Sequence, residues 1–231
     1  MSILQKIVAN TKANLVLKKA EFPLEKIQGS LENLKLPRGK FKDHISNKDE
    51  AIIAEIKKAS PSAGVIKEDF DPTKIAMDYE SFGASALSIL TEEDFFMGSV
   101  EYLKEVKKIT SLPILRKDFM IDEYQIYESK LIGADCILLI ASILTDQEIE
   151  DFINIAKKLE LDYLIEVHDE NELKRVEHFE DALIGVNNRN LETFEVDLNN
   201  SVRLKHTFGQ KNIFIAESGI KSREDMDYLK M

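Results

Sequence analysis

Charged side chains lie within or just after several short apolar runs, where a purely structural residue would be apolar. Glu55 and Lys57 lie two residues apart in the first run, and Lys117 comes two residues after another. Glu166 has aliphatic neighbours on both sides. An ionised group among apolar side chains loses hydration, and this cost favours pairing or a role in proton transfer. These residue types therefore indicate acid–base chemistry.

Each of these groups also has a structural interpretation. Glu55 and Lys57 point to the same face of a strand, because side chains alternate, and can form a purely structural ion pair. Lys117 is by default a solvated loop residue, but beside other cations in a desolvated site its pKa would fall and it could act as an acid. Ser60 offers a hydroxyl to an anion, although an ordinary loop explains it equally well.

Two further apolar runs end in polar residues. Asn187 and Arg189 follow one run at a spacing of two, which places them on one face if the backbone stays extended. Glu217 follows the other run, and Ser218 and Gly219 then precede a helical segment, where backbone N–H groups suit a phosphate. Such convergence of polar groups at successive run ends indicates an enzyme.

From residue 51 onwards, short apolar runs alternate with segments of helical period, which indicates a parallel sheet covered on both faces. Sites of closed (β/α) barrels lie at the carboxyl ends of such strands. We therefore predict an α/β fold, a (β/α)8 TIM barrel over residues 51–231, with a doubly wound sheet as the alternative. The predicted strands are Ile52–Ile56, Ser85–Leu90, Pro113–Leu115, Cys136–Ile140, Tyr163–Val167, Leu183–Val186 and Ile213–Ala216.

Residues 1–50 lack this alternation and predict a helical N-terminal extension, with apolar residues at helical spacing around Ile7 and again around Ile27. The extension is too short for its own core, so we expect residues 1–231 to form a single barrel domain. A closed barrel has eight strands. The sequence ends in the helix after the seventh predicted strand, and we expect strand 8 and helix 8 to be lacking.

Composition excludes several classes of protein. The net charge of −11 disfavours nucleic acid as a partner, and no apolar run is long enough to cross a membrane. The single cysteine, Cys136, lies in an apolar run and suits a cytoplasmic protein. The four histidines are scattered, without metal-ligand spacing, so we interpret them as ordinary surface or loop residues and predict no metal.

Six ordered segments of the chain form a specific pattern: Ala54–Ser62, Ser88–Glu92 with Phe96–Ser99, Leu115–Phe119, Leu164–Val167, Gly185–Leu191 and Ala216–Ile220. Together they resemble the indole-3-glycerol phosphate synthase family, over a range from about Leu15 to the C-terminus. The family's N-terminal helical extension, which packs over the barrel mouth, would account for residues 1–50.

The resemblance implies conversion of 1-(2-carboxyphenylamino)-1-deoxyribulose 5-phosphate to indole-3-glycerol phosphate, with loss of CO2 and water and without metal or cofactor. Lys117 would be the general acid for ring closure, Glu166 the acid and base for dehydration, and Lys57 a second cation. It implies further roles for residues around them: Glu55 and Asn187 in the catalytic set, Ser60, Ser218 and Gly219 near the phosphate, Phe96 and Phe119 at the aryl ring, and Arg189 and Glu217 in the charge network.

Two alternatives stay open. A phosphoribosylanthranilate isomerase would use a Cys/Asp pair, but Cys136 lies in the middle of a predicted strand rather than at the end of the first. A non-catalytic barrel subunit, or one inactivated by truncation, would have the fold without turnover. We expect the enzyme, acting as a monomer on a phosphorylated small molecule.

Overall fold

The computed structural model describes residues 1–34, 36–191, 193–208 and 211–230. Seven of its strands are parallel and form one curled sheet, in which each strand pairs with the next one along the chain. The sheet strands are β1 (Ile53–Ile56), β4 (Ala86–Leu90), β5 (Ile114–Lys117), β6 (Cys136–Ile140), β7 (Asp162–Val167), β8 (Leu183–Asn187) and β9 (Ile213–Glu217). A separate antiparallel hairpin is formed by β2 (Ala59–Ser60) and β3 (Gly64–Val65).

Helices connect the strands and precede the sheet. Three lie in the N-terminal segment: α1 (Ile3–Glu21), α2 (Leu24–Glu32) and α3 (Phe41–Ser46). The others are α4 (Pro72–Ser81), α5 (Val100–Lys107), α6 (Glu123–Leu131), α7 (Asp146–Lys158), α8 (Glu170–Val176), α9 (Asn199–Phe208) and α10 (Arg223–Leu229), with a 3-10 turn at Ala141–Ile143.

The α/β prediction is confirmed, and all seven predicted strands are present near their expected bounds. Strands β5, β8 and β9 extend one or two residues further than predicted, so Lys117, Asn187 and Glu217 are the last residues of their strands. Helices α3 and α9 and the hairpin were not predicted from the sequence. The described residues end at Lys230, and the seven sheet strands are counted within them. The expectation that strand 8 and helix 8 are lacking is therefore not confirmed.

Helix starts follow from the residues that cap them. The Thr145 hydroxyl accepts from the backbone N–H of Glu148, whose carboxylate accepts from the N–H of Thr145 in return. The Asp71 carboxylate caps α4 by accepting from the backbone N–H groups of Thr73 and Lys74, and Pro72 between them is a residue favoured in the first turn. None of the helices in the described ranges is long and apolar enough to span a membrane.

Side-chain alternation divides the strands into two faces. Residues such as Leu87, Ile137 and Ile165 point outward and are buried beneath the helices. The other face forms the interior, where Leu115 and Leu164 are buried in the lower layer. Nearer the carboxyl ends, six of the seven described sheet strands have a polar inward residue: Glu55, Ser88, Lys117, Glu166, Asn187 and Glu217.

Helix α3 closes the lower layer of the interior. The Phe41 side chain is fully buried and packs in one cluster with Leu115, Cys136 and Leu164 of the strands. Gly39, just before the helix, lies so close to the backbone of Asp135 that a β-carbon would collide with it. The N-terminal segment therefore contributes core to the sheet interior.

Candidate active site

The upper layer of the interior surrounds a cavity of about 540 Å³. Helix α1 lies over it, and Ile3, Leu4 and Ile7 contribute to its lining. All twelve residues predicted for the site line this one cavity: Glu55, Lys57, Ser60, Phe96, Lys117, Phe119, Glu166, Asn187, Arg189, Glu217, Ser218 and Gly219.

Lys117 is the centre of the charge network. Its Nζ lies 2.5 Å from Glu217 Oε2 and 3.5 Å from Glu166 Oε2. Burial disfavours the charged ammonium, but the carboxylates of Glu217 and Glu166 outweigh this and raise the pKa of Lys117 above its usual range. The expectation of a lowered pKa beside other cations is wrong, because the neighbours of Lys117 are carboxylates.

The raised pKa of Glu217 favours its neutral form, whereas the raised pKa of Lys117 favours its charged form. Burial raises the pKa of Glu217 to about 7, a rise that Lys117 opposes and Glu166 reinforces. Its Oε1 atom is buried without a hydrogen-bond partner among the described residues. That oxygen occupies the space beside Gly185, where a β-carbon would overlap it. The site therefore holds a carboxyl group that changes protonation near neutral pH.

The expected pairing of Glu55 with Lys57 is confirmed, because the Lys57 ammonium donates directly to the Glu55 carboxylate. Burial favours the neutral form of Glu55, but Lys117 and Lys57 together hold the pKa of that carboxyl below its usual value. Glu55 therefore remains an anion, and it links the two lysines electrostatically.

Asn187 joins three parts of the site through its amide. Its Nδ2 donates to Glu166 Oε1 at 3.1 Å. Its Oδ1 accepts from the backbone N–H of Arg189 at 3.0 Å and from the Ser218 hydroxyl at 2.9 Å. The Asn187 side chain thereby fixes one oxygen of Glu166 and both loops that follow β8 and β9.

The turn after β9 has an unusual backbone. Ser218 and Gly219 have consecutive positive φ angles, 68° and 84°. A β-carbon at position 219 would collide with the Val196 side chain, so glycine is required there for space as well as for conformation. Arg189 extends from the neighbouring loop and donates to the Phe194 carbonyl at 3.0 Å.

Two phenylalanines form the apolar side of the cavity. The rings of Phe96 and Phe119 are 5.9 Å apart between centroids and tilted by 39°. Glu92, which is buried, holds the Phe96 loop by accepting from the backbone N–H groups of Phe95 and Phe96 at 2.7 and 3.0 Å. The Phe96 carbonyl accepts from the N–H of Ala59, at the start of β2.

Helix α1 is held above this wall by polar contacts. Asn10 and Asn14 both donate to Asp94 Oδ2, at 2.5 and 2.8 Å. Further along the helix, Lys19 pairs with Asp122 at 2.7 Å.

Sequence reasoning missed two residues beside the site. Arg116 is fully buried on the outward face of β5, where its guanidinium donates to Thr91, Asp118 and Glu128 at 2.7–2.9 Å. His168 lies in the loop after β7, as predicted, but it is largely buried next to Glu166 rather than at the surface. The signal for Arg116 was its place between an apolar run and Lys117; His168 lies two positions beyond Glu166 on the same face.

The described residues contain no group of three or more histidine, cysteine or carboxylate side chains that could hold a metal ion. The site is instead a set of ammonium, carboxylate and amide groups around an apolar wall. Such a set can bind an anionic aromatic molecule and move protons to and from it.

The family model described as indole-3-glycerol phosphate synthase matches residues 4–231. The chain belongs to the indole-3-glycerol phosphate synthase family. The family member from Ruminiclostridium cellulolyticum is 47% identical over 230 residues, covering 99% of this chain and 88% of that protein. The one from Clostridium acetobutylicum is 46% identical over 228 residues, covering 99% and 87%. Membership supports the enzyme over the non-catalytic alternative.

Solved structures of low identity share the fold with this member of the indole-3-glycerol phosphate synthase family. N-acetylmannosamine-6-phosphate 2-epimerase from Clostridium perfringens superposes with a TM-score of 0.61 at 14% identity, covering 78% of this chain and 81% of that one. The tryptophan synthase alpha-subunit from Pyrococcus furiosus gives 0.56 at 17%, covering 78% and 83%.

Proposed function

We propose that the protein closes the indole ring of 1-(2-carboxyphenylamino)-1-deoxyribulose 5-phosphate, with Lys117 as the general acid. The observation that carries the proposal is the position of the Lys117 ammonium in the cavity, within 3.5 Å of two carboxylates. Those carboxylates keep Lys117 protonated at neutral pH, so a proton is always present for the substrate.

Ring closure generates the base that takes this proton. The ring carbon that carries the carboxylate attacks the ketone carbon, and the ketone oxygen gains negative charge as the C–C bond forms. An alkoxide is basic enough to take a proton from an ammonium whose pKa is raised. The carboxylate then leaves as CO2, and its electron pair restores the aromatic ring.

Dehydration requires a second acid and base, and we assign this role to Glu166. The hydroxyl leaves as water with a proton from the acid, while the neighbouring C–H carbon loses a proton. Glu166 is 4% exposed, and Asn187 holds one of its oxygens. A carboxyl group screened from solvent can exchange protons with the substrate rather than with water.

The remaining residues are proposed to bind the substrate. Lys57, paired with Glu55, offers positive charge to the substrate carboxylate. Asn187 and Arg189 line the cavity beside the loops that follow β8 and β9. Phe96 and Phe119 present apolar rings to the aryl group. Ser60, Ser218 and Gly219 lie at loop positions suited to the phosphate.

We further propose that the protein works in the cytoplasm as a single-domain monomer, on this small molecule rather than on nucleic acid. The net charge of −11 supports the preference against a polyanion. A small substrate with one carboxylate and one phosphate meets the local lysines of the cavity instead.

The test measures indole formation from the carboxyphenylamino substrate by fluorescence, for the wild type and Lys117→Met. We expect kcat to fall by about 10²–10⁴-fold, the range of general acid catalysis. Lys104→Met is the matched control, because Lys104 lies on α5 outside the cavity and pairs with Glu101. Equal turnover in all three proteins would refute the role of Lys117, and no turnover in a folded wild type would refute the function.

A further inference from the structure

His168 lies immediately after β7, behind Glu166 as seen from the cavity. Its Nδ1 is 3.1 Å from Glu172 Oε2, and the same oxygen accepts from the His168 backbone N–H at 2.8 Å. Its carbonyl accepts from Asn200 Nδ2 at 2.9 Å. Helices α8 and α9 thus hold the histidine in place on two sides.

The other ring nitrogen points at Glu166. Nε2 lies 3.4 Å from Glu166 Oε1 and is buried, with no hydrogen-bond partner in the described part of the chain. The separation is a few tenths of an ångström beyond an ordinary N–H···O hydrogen bond. A small approach of the carboxylate closes that gap, so Glu166 is the acceptor that Nε2 can reach.

The Glu172 carboxylate decides which ring nitrogen can change its protonation. Since that carboxylate only accepts, the Nδ1 atom of His168 carries its hydrogen in both states. Nε2 is therefore the nitrogen that gains or loses a proton. With a proton it donates to ionised Glu166, and without one it accepts from the protonated carboxyl.

The charges around His168 favour the imidazolium. Glu166 faces it from β7, Glu172 from α8 and Glu217 from β9. Burial disfavours the charged ring, but the hydrogen bond to Glu172 and the charge of Glu166 outweigh it and raise the pKa of His168 above its usual value. His168 therefore keeps its proton further into the neutral range than an exposed histidine.

We propose that His168 is a positioning residue that orients Glu166 and replenishes the proton that Glu166 gives to the substrate. The inference rests on the proposed function, because it assigns Glu166 its partner in the dehydration step. When the C–O bond breaks and the hydroxyl takes the Glu166 proton, water leaves. That proton is supplied by His168 Nε2–H through the Glu166 carboxylate. The carboxylate then takes the proton from the neighbouring carbon and passes it back to Nε2, so one proton is given, one is taken, and both groups end in their starting states.

The first test does not depend on turnover. NMR of ring-labelled histidine follows the titration of His168 in the wild type, Glu166→Gln and Glu172→Gln. We expect the midpoint to fall by about one pH unit in each variant, because each loses one of the facing negative charges. An unchanged midpoint in Glu166→Gln would overturn the proposal, whether or not the protein makes indole.

The second test measures kcat and KM against pH for His168→Gln. The amide keeps hydrogen-bonding capacity but has no titrating proton. We expect kcat to fall about 10–100-fold, KM to stay within about twofold, and the acid limb of the kcat profile to move up by about one pH unit, since Glu166 loses a cation. His206→Gln, at an exposed position on α9, should match the wild type.

A lower kcat with an unchanged pH profile would mean that His168 is only structural, and would overturn the proposal. Wild-type protein that forms no indole would refute the proposed function, while the NMR titration would still decide whether His168 and Glu166 are coupled.

Discussion

Three carboxylates and two ammonium groups form the charge network around Lys117, and these five groups carry one negative charge in excess when all are ionised. The excess is relieved most easily at Glu217, whose pKa is raised to about 7 by burial and by Glu166. The resting site is thus poised to take up a proton when pH falls below neutral. The residues concerned are Glu55, Glu166, Glu217, Lys57 and Lys117.

Glu217 also makes stability depend on pH. Its folded pKa of about 7 exceeds the ordinary 4.5, so the native state binds this proton more tightly than the unfolded chain. The resulting stabilisation is fully present below pH 4.5 and is lost as pH rises through about 7. In urea unfolding at pH 5 and pH 8, Glu217→Gln should lose less stability over this interval than the wild type.

Glu101→Gln, at an exposed side chain of α5, is the control for that experiment, and it should follow the wild type. Equal losses in Glu217→Gln and the wild type would contradict the raised pKa.

Gly185 allows a second prediction about a single residue. A β-carbon there would meet Glu217 Oε1 and Leu164, so Gly185→Ala should displace the Glu217 carboxylate. We expect a loss of about 1–3 kcal/mol in the free energy of unfolding, together with lower kcat. Gly29→Ala is the matched control in helix α2, where the space is open and alanine should stabilise by up to about 1 kcal/mol. Similar effects of both substitutions would contradict the crowding at Gly185.

Many residues of the site could be predicted from the sequence, because side chains alternate between the two faces of a strand and the carboxyl ends of a barrel's strands lie close together. Glu55 with Lys57 followed from a spacing of two alone. The environment of Lys117 could not be predicted, since its carboxylates come from other strands. The contacts of His168 could not be predicted for the same reason: Glu172 lies on the next helix, and only the fold places His168 between Glu172 and Glu166.

At the scale of elements, α3 closes the lower end of the sheet interior. Its six residues are too few to show a helical period, so the sequence did not reveal it. The hairpin of β2 and β3 was missed similarly, because two-residue strands have no alternation to detect. The long amphipathic segments and apolar runs, by contrast, predicted their elements to within a few residues.

The contribution of α3 can be measured through Phe41. Phe41→Ala removes a fully buried ring from the lower core, and we expect it to cost about 3–5 kcal/mol in the free energy of unfolding. Phe82→Ala, at a side chain that is 86% exposed, should be near neutral. Denaturant unfolding of both variants checks this. A loss below about 1 kcal/mol at Phe41 would show that α3 is not part of the cooperative core.

At the scale of the whole molecule, exposed apolar side chains are spread over several elements. Leu17 lies on α1, Val65 on β3, and Met77 and Phe82 at α4. Stable interfaces need a contiguous area of about 800 Å² per partner, which such a distribution does not favour. Sedimentation velocity should therefore give the mass of one chain, 26.4 kDa. A concentration-independent species of twice that mass would contradict the proposed monomer.

The lower core also holds the protein's single thiol. Cys136 is fully buried in the same cluster as Phe41, and burial raises its pKa well above the usual value. A thiol-reactive dye therefore reacts with it only when the cluster opens, and under EX1-like conditions the labelling rate equals the opening rate. The protein thus contains a native reporter of how often its lower core opens, readable without any engineered probe.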